Sequence, residues 1–207
     1  ASEGDAGRAL EAVARAVKHD IACVPARALQ LDILADSGDA GAYAEQLEAL
    51  SDAYANDDAR GRAFLLSAFV WAVRAGDPSA AKAALSQATM FGVPQQAAAR
   101  VSRALALLAG DATWQDEATR RVIGSGADGA ELAQLWFELA RLRLSRNDVD
   151  GARKAIGELA SLPESAWLGR ALEAFLPGLP SPDPTAALRA LGAQETEPEA
   201  ARALEIL

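Results

Sequence analysis

Few side chains in this sequence are suited to acid–base, nucleophilic or metal chemistry. There is one histidine, His19, and one cysteine, Cys23. A nucleophile–base pair would normally need His19, which we interpret instead as a surface group that compensates the dipole at a helix C-terminus. Zinc sites need clusters of Cys and His, which are absent from the sequence. A lone cysteine cannot form an internal disulfide, and we interpret Cys23 as a buried thiol.

The carboxylates and glycines form no reactive motif either. Asp57 and Asp58 are adjacent, but the following residues do not complete a DDxxD diphosphate motif, and Asp58 fits a helix N-cap. The glycine-rich run 124–126 follows a predicted helix and precedes no Lys-Ser/Thr pair, so it is not a phosphate loop. No pair of carboxylates stands out as a general acid and base. We therefore predict that the protein is not an enzyme and binds no cofactor and no metal.

Charge and composition narrow the range of partners. The sequence has 20 Lys and Arg against 29 Asp and Glu, for a net charge of −9. This charge argues against nucleic acid and anionic membranes as general partners, because both attract clustered basic residues. No uninterrupted apolar run is long enough to span a membrane. Abundant Ala and Leu, with few aromatic and β-branched residues, favour helix throughout the chain.

A short dipeptide recurs along the chain in near-register. A Gly-Asp or Asn-Asp pair occurs four times, at steps of 38, 34 and 37 residues. Gly or Asn can end a helix in the left-handed conformation, and Asp can cap the helix that follows. The four pairs are Gly38-Asp39, Gly76-Asp77, Gly110-Asp111 and Asn147-Asp148. Their spacing predicts the corners of repeated helical hairpins.

The spacing predicts an all-α fold, an α-solenoid of about four to five antiparallel helical hairpins. Complete hairpins are predicted over residues 25–54, 59–91, 94–123 and 133–163, with a helix over 6–18 before them and one over 164–176 after them. Residues 64–73 are apolar nearly all round, so we expect that helix to be buried on both sides. In the fourth hairpin, helical spacing places its apolar residues on two matching stripes. The stripes comprise Trp136, Leu139, Ala140 and Leu144 on the first helix, and Ala152, Ile156 and Leu159 on the second.

The repeated unit resembles the tetratricopeptide repeat, in which large, small and aliphatic residues mark two helices and a Pro closes the unit. Residues 133–163 match this pattern at Trp136, Leu139, Ala140, Ala152, Ile156 and Pro163. The copy around Gly76-Asp77 matches it at Leu65, Ala68, Ala81, Leu85, Ala88 and Pro94. The resemblance covers most of residues 25–176 and implies a right-handed superhelix. In that family a small residue stands where the two helices of a repeat cross closely, and Ala140 matches it. In the other copies the corresponding residues are Leu31, Phe69 and Arg103. These larger side chains imply that the helices of those hairpins cross at a wider separation.

The resemblance also implies where a partner would bind. In that family the first helices of successive hairpins line a concave groove that holds a peptide or a partner helix. By helical phase, the groove residues of this chain are Arg74, Arg100, Gln134, Phe137, Glu138 and Arg141. Three arginines and one exposed aromatic ring suit an acidic or amphipathic segment. The alternative is that these arginines are ordinary solvated residues that pair with nearby carboxylates.

Three hypotheses for the function follow. The first is a non-enzymatic protein–protein interaction scaffold that binds a peptide or partner helix in the groove. The second is a structural or assembly subunit, or a helical accessory segment of a larger multidomain enzyme or regulator. The third is a small-ligand site inside the curved array, which would need a closed pocket.

The outer parts of the chain carry weaker expectations. The repeat array is predicted over residues 1–176, a proline-rich connector over 177–184, and short helices that pack on the array or extend it over 185–207. A start at Ala1 without Met fits methionine removal, signal-peptide cleavage or a longer protein. A cytoplasmic location is favoured, and a periplasmic one follows if a signal peptide was removed. The oligomeric state is left open.

Overall fold

The computed structural model describes residues 3–174, and within them the protein is all-helical, without a strand. The predicted connector and short C-terminal helices lie outside the described residues. The helices are α1 (Glu3–His19), α2 (Val24–Ser37), α3 (Ala40–Ser51), α4 (Asp57–Phe69), α5 (Pro78–Met90), α6 (Gln95–Ala109), α7 (Ala112–Gly124), α8 (Gly129–Ser145), α9 (Val149–Ser161) and α10 (Ala166–Ala174). A π-helical segment, Val70–Ala75, continues α4, and a 3₁₀ turn, Pro163–Ser165, precedes α10. The chain forms two compact units that divide within α7, between Ala118 and Thr119.

The four predicted corners are confirmed. Each begins with a residue in the left-handed conformation, with φ of 76° at Gly38, 68° at Gly76, 67° at Gly110 and 59° at Asn147. The aspartate that follows each of them accepts backbone N–H bonds of 2.9 Å from the first turn of the next helix. The connections from α2 to α3, from α4 to α5, from α6 to α7 and from α8 to α9 are therefore four copies of one local structure.

The first unit is organised around α4, which packs against both α3 and α5. On the α5 side, the rings of Phe64 and Phe91 stack with their centroids 5.5 Å apart. The Arg60 guanidinium carbon lies 5.4 Å from the Phe91 centroid. Gly61 permits this close approach, because a Cβ at Gly61 would lie 2.9 Å from the Phe91 carbonyl oxygen. A side chain at this position would push the two helices apart.

A carboxylate ties α4 to α3. Glu48 Oε1 accepts a hydrogen bond of 2.6 Å from Ser67 Oγ and another of 2.9 Å from Trp71 Nε1. Ser67 is fully buried, so the bond satisfies a hydroxyl that would otherwise be costly to remove from water. Bonds to a charged acceptor are among the stronger hydrogen bonds in proteins. They fix the orientation of α4 on α3.

The π-helical segment that continues α4 was not predicted by the sequence pattern. The backbone N–H of Asp77 donates to the Trp71 carbonyl at 2.8 Å, and the N–H of Gly76 donates to the same oxygen. The wider π turn rotates the side chains after Phe69 relative to an ideal α-helix. Trp71, within this segment, is the residue whose indole reaches Glu48.

A buried tryptophan anchors the start of α7 to α6. Trp114 is 1% exposed, and its indole N–H donates to Ser102 Oγ at 2.9 Å. Lys82 Nζ on α5 lies 5.6 Å from the Trp114 ring and 3.1 Å from Glu117 Oε2. Burial of a large aromatic side chain contributes about 1.5–3 kcal/mol relative to its exposure. Trp114 is thus a main contributor to the core that α5, α6 and α7 share.

The second unit has its own core between α8, α9 and α10. Its central side chains, Leu139, Ile156 and Leu159, are at most 1% exposed. The predicted stripe on α8 is wrong at one position. Leu135 is 2% exposed, whereas Leu144 is 38% exposed. At 100° per residue, Leu144 lies half a turn away from Leu135, so both cannot face α9.

Two further predictions on the first unit need correction. The N-cap of α4 is Asn56, whose side chain accepts from the Asp58 N–H at 2.8 Å, and not Asp58 itself. Phe69 does not occupy a helix crossing, because it is 44% exposed while its neighbour Ala68 is fully buried. The small residue therefore stands at the buried position of α4 after all.

Candidate partner-binding face

One side of α4 and its π-helical extension presents apolar side chains to solvent. Leu66 is 57% exposed, Phe69 44% and Val73 42%. Spacings of three and four residues place them on one side of the helix. We name these three residues the α4 face. The prediction that this helix is buried on both sides is confirmed for the sides that pack against α3 and α5, but the row of the α4 face remains in contact with water.

The α4 face is held on a rigid support. Directly behind it, Phe64, Ala68 and Ala72 lie in the core of the first unit. Ser67 and Trp71 are fixed by their bonds to Glu48. A face whose underlying residues are buried and hydrogen-bonded can present its side chains with little loss of conformational freedom on binding.

Arg74 and Arg100, both predicted to contact a partner, belong to the same unit as the α4 face. Arg74 lies in the π-helical segment, and its guanidinium carbon is 5.7 Å from the centroid of the Tyr43 ring. This cation–π contact orients the side chain toward α3. Arg100 lies on α6, which packs against the π-helical segment, and its side chain is exposed.

The exposed side of α6 adds further apolar surface. Arg100, Ala104 and Leu107 follow at spacings of four and three residues and are exposed. Leu107 is 49% exposed and Leu108 65%. The first unit therefore carries exposed apolar and cationic groups on two helices that are in contact.

The other four predicted residues lie together on α8 in the second unit. Gln134, Phe137 and Arg141 are exposed, and Phe137 is 39% exposed. Gln134 Nε2 donates to Glu138 Oε1 at 3.2 Å. Spacings of three and four residues place this set on one side of the helix. The predicted residues thus form two groups, one in each unit.

The residues with possible chemistry do not come together. His19 is exposed at the end of α1, and Cys23 is half-buried at the N-cap of α2. Asp57 and Asp58 lie within 3.6 Å and 2.7 Å of guanidinium nitrogens of Arg60 and Arg62, respectively. Across residues 3–174 no group of three or more His, Cys, Asp and Glu side chains is arranged to hold a metal ion.

The described helices are also too short or too polar to cross a bilayer. Comparison with known proteins does not assign the chain: no family model matches its sequence, and no curated protein is detectably similar to it.

The α4 face was not among the residues predicted to bind a partner. The sequence did contain a signal for it, because residues 64–73 are apolar nearly all round a helix. Such a helix is either enclosed by its own chain or partly left for another molecule. Periodicity cannot distinguish these two cases, since both need the same residues.

Proposed function

We propose that the protein is a non-enzymatic interaction module that binds an amphipathic helix or peptide on the α4 face. The observation that carries the proposal is the row formed by Leu66, Phe69 and Val73, which is exposed at one-turn spacing on a helix whose other sides are packed. Rows of this kind are typical surfaces for an amphipathic helix, whose own apolar residues recur at the same spacing.

We further propose that the hairpins are degenerate repeats of a tetratricopeptide-like solenoid. Four corners of the same local structure support this assignment. The packing within the first unit supports it as well, because there the substantial helix–helix contacts of the described residues join only elements close in sequence, such as α3 with α4 and α5 with α6. Nearest-neighbour packing is the defining property of a repeat stack.

The chemistry of the surface selects the partner. Removing the exposed parts of the three apolar side chains from water would contribute about 1 kcal/mol each. Arg74 follows Val73 in the π-helical segment, and Arg100 lies on α6, which packs against that segment. Both arginines suit carboxylates on the flank of the partner. The partner we propose is therefore an amphipathic segment with an apolar row and acidic neighbours. The α8 group, with Phe137 and Arg141, is a second candidate contact of the same chemical type.

Peptide selection on the full chain tests the proposal. We expect a display library of random amphipathic helices to yield binders enriched in Leu, Ile or Phe at helical spacing and in Asp or Glu beside them. The double variant Leu66→Ser/Phe69→Ser should weaken a selected peptide at least tenfold, because it removes two anchors worth about 1 kcal/mol each. Arg100→Glu should weaken it further by charge repulsion.

Met90→Ser is the matched control, because Met90 is 73% exposed near the end of α5 and outside the α4 face. Its peptide affinity should equal that of the unchanged protein. Selection of no helical peptide, or equal affinity in the Leu66→Ser/Phe69→Ser variant, would contradict the proposal. Circular dichroism of each variant establishes that its helices are retained.

The second candidate function is that of a subunit in a larger assembly, in which further copies of this chain or other subunits cover the α4 face. The same exposed row favours it, since contiguous exposed apolar residues also mark subunit contacts. Light scattering over a concentration series distinguishes an assembly subunit from a peptide-binding module. Concentration-dependent self-association that Phe69→Ser abolishes would favour assembly over peptide binding.

A further inference from the structure

One end of the α4 face carries a cation that an aromatic ring holds in place. Arg74 follows Val73, the last residue of the row, and its side chain is exposed. Its guanidinium carbon lies 5.7 Å from the centroid of the Tyr43 ring on α3. The ring is itself fixed, because Tyr43 packs against a buried cluster that includes Leu47 and Val70. The arginine is therefore anchored, through this ring, to a buried part of the first unit.

The contact with the ring leaves the guanidinium able to bind a carboxylate. A cation–π contact uses no hydrogen-bond acceptor, so the N–H groups of Arg74 can still donate in pairs to a carboxylate. Within residues 3–174 no carboxylate forms an ion pair with Arg74. Arg62, near the start of α4, instead lies 2.7 Å from Asp58. The two ends of this helix therefore differ in whether their exposed arginine already has a carboxylate within the described residues.

A fixed arginine binds a carboxylate with a smaller loss of conformational freedom than a mobile one. On an ordinary helix surface, ordering the long arginine side chain offsets much of the gain from an exposed ion pair. At Arg74 part of this ordering has already taken place in the folded protein, because the ring of Tyr43 holds the side chain. A partner carboxylate at Arg74 should therefore contribute at the upper end of the range for exposed pairs.

We propose that Arg74 selects a partner with an acidic residue at one defined end of its apolar row, and that Tyr43 is the positioning residue that gives Arg74 this role. The partner segment carries an Asp or Glu side chain beside the apolar residue that covers Val73. This inference rests on the peptide binding proposed above. It adds the register of the partner, because the carboxylate fixes which end of the partner's row lies on Val73 and which lies on Leu66.

A glutamate scan of a peptide selected on the α4 face tests the inference. Every acidic residue of the peptide is changed to Gln, and a single Glu is then returned at each position beside the apolar row. Fluorescence anisotropy with the full chain gives the affinity of each Glu peptide relative to that of the all-Gln peptide. We expect this ratio to reach about five at one end of the row and to fall toward one in high salt.

Variants of the protein assign that position to Arg74 and Tyr43. Arg74→Gln should lower the ratio to near one, whereas a Glu that acts through Arg100 keeps its ratio in this variant. Tyr43→Leu removes the ring and should lower the ratio to about two, while Tyr43→Phe keeps the ring and should leave it unchanged. Because the ratio is taken within each variant, a uniform change in peptide affinity cancels from it.

Two matched controls should keep the ratio of the unchanged protein. Arg62→Gln removes the same charge at the other end of α4, and Tyr54→Leu removes the ring of the second tyrosine in the chain. A ratio near one at every position, or a ratio that Arg74→Gln or Tyr43→Leu leaves unchanged, would overturn this inference while peptide binding itself stands. Selection of no peptide for the α4 face would overturn both.

Discussion

At the scale of single residues, one aspartate side chain defines the start of the second helix in each hairpin. The carboxylate of Asp77, for example, accepts from the N–H groups of both Ser79 and Ala80 at 2.9 Å. These N–H groups have no partner within the helix, and the negative charge also suits the positive end of the helix dipole. Asp128 precedes α8 in the same way, but its side chain makes no capping hydrogen bond.

This difference gives a matched pair of substitutions. Asp77→Ala should lower the free energy of unfolding by about 1 kcal/mol, the typical effect of losing an N-cap. Asp128→Ala should lower it by less than about 0.5 kcal/mol, because no capping bond is lost. Urea denaturation followed by circular dichroism measures both. Equal losses in the two variants would show that the capping bond is not the source of the stability.

Asn147 is the one described residue other than glycine with a positive φ, at 59°. Asn tolerates this conformation better than other residues with a Cβ. Asn147→Ala should therefore cost about 1 kcal/mol, whereas Asn147→Gly should be neutral within a few tenths of a kcal/mol. Thermal unfolding of the two variants checks this. An Asn147→Ala protein as stable as Asn147→Gly would mean that the fourth corner does not need the left-handed conformation.

The corners were predictable from sequence because each depends on two adjacent residues and the first turn that follows. No distant contact has to be known to see that Gly or Asn ends a helix and Asp starts the next. The cation–π contact between Tyr43 and Arg74 was not predictable, because it depends on how α3 and the π-helical segment meet.

At the scale of helices, the contact between α9 and α10 depends on a glycine. A Cβ at Gly169 would overlap the backbone of Ala160, so the two helices lie directly against each other there. Gly157, in the middle of α9, has nothing within 4 Å of the position of its Cβ. The two glycines therefore have different reasons to be in their helices, although sequence alone makes them look alike.

Substitution by Ala at both positions distinguishes a glycine that a close helix contact requires from one that no neighbour requires. Gly169→Ala should destabilise the protein by about 1–3 kcal/mol, because the added methyl group forces α10 away from α9. Gly157→Ala should stabilise it by about 0.5–1 kcal/mol, because Ala favours the helix interior and meets no neighbour. Chemical denaturation gives both values. A gain in stability with Gly169→Ala would exclude the close contact.

Which side of a helix is buried could not be predicted fully from the sequence. Three-and-four spacing did not separate the exposed row of Leu66, Phe69 and Val73 from the buried sides of the same helix, because residues 64–73 are apolar nearly all round. Composition states how apolar a helix is; it does not state whether its own chain or a partner covers it. The π-helical turn after Phe69 was also missed, because three-and-four spacing does not distinguish a single wider turn from an α-helical one.

At the scale of the whole molecule, packing is uneven along the first unit. Val13 is the one buried side chain among the described side chains of α1, and Arg27 the one in α2. Helices α4, α5 and α6 instead share a large continuous core. The all-helical class followed from the composition and the repeated corners, because both act on every part of the chain. The distribution of core residues along the chain did not follow from them, since it depends on which side of each helix is buried.

This unevenness predicts a gradient of local stability. In a stack where each helix contacts mainly its neighbours in sequence, the end with the smallest buried surface opens first. We expect native-state hydrogen exchange to show the fastest amide exchange in α1, intermediate exchange in α2 and α3, and the slowest in α5 and α6. Adding low urea should accelerate α5 and α6 more steeply than α1, because their exchange requires exposure of more surface. Equal protection and equal urea dependence in α1 and α5 would instead mean that the unit opens as a single cooperative body. In that case the packing between elements close in sequence, which supports the repeat assignment, would not govern the energetics of the unit.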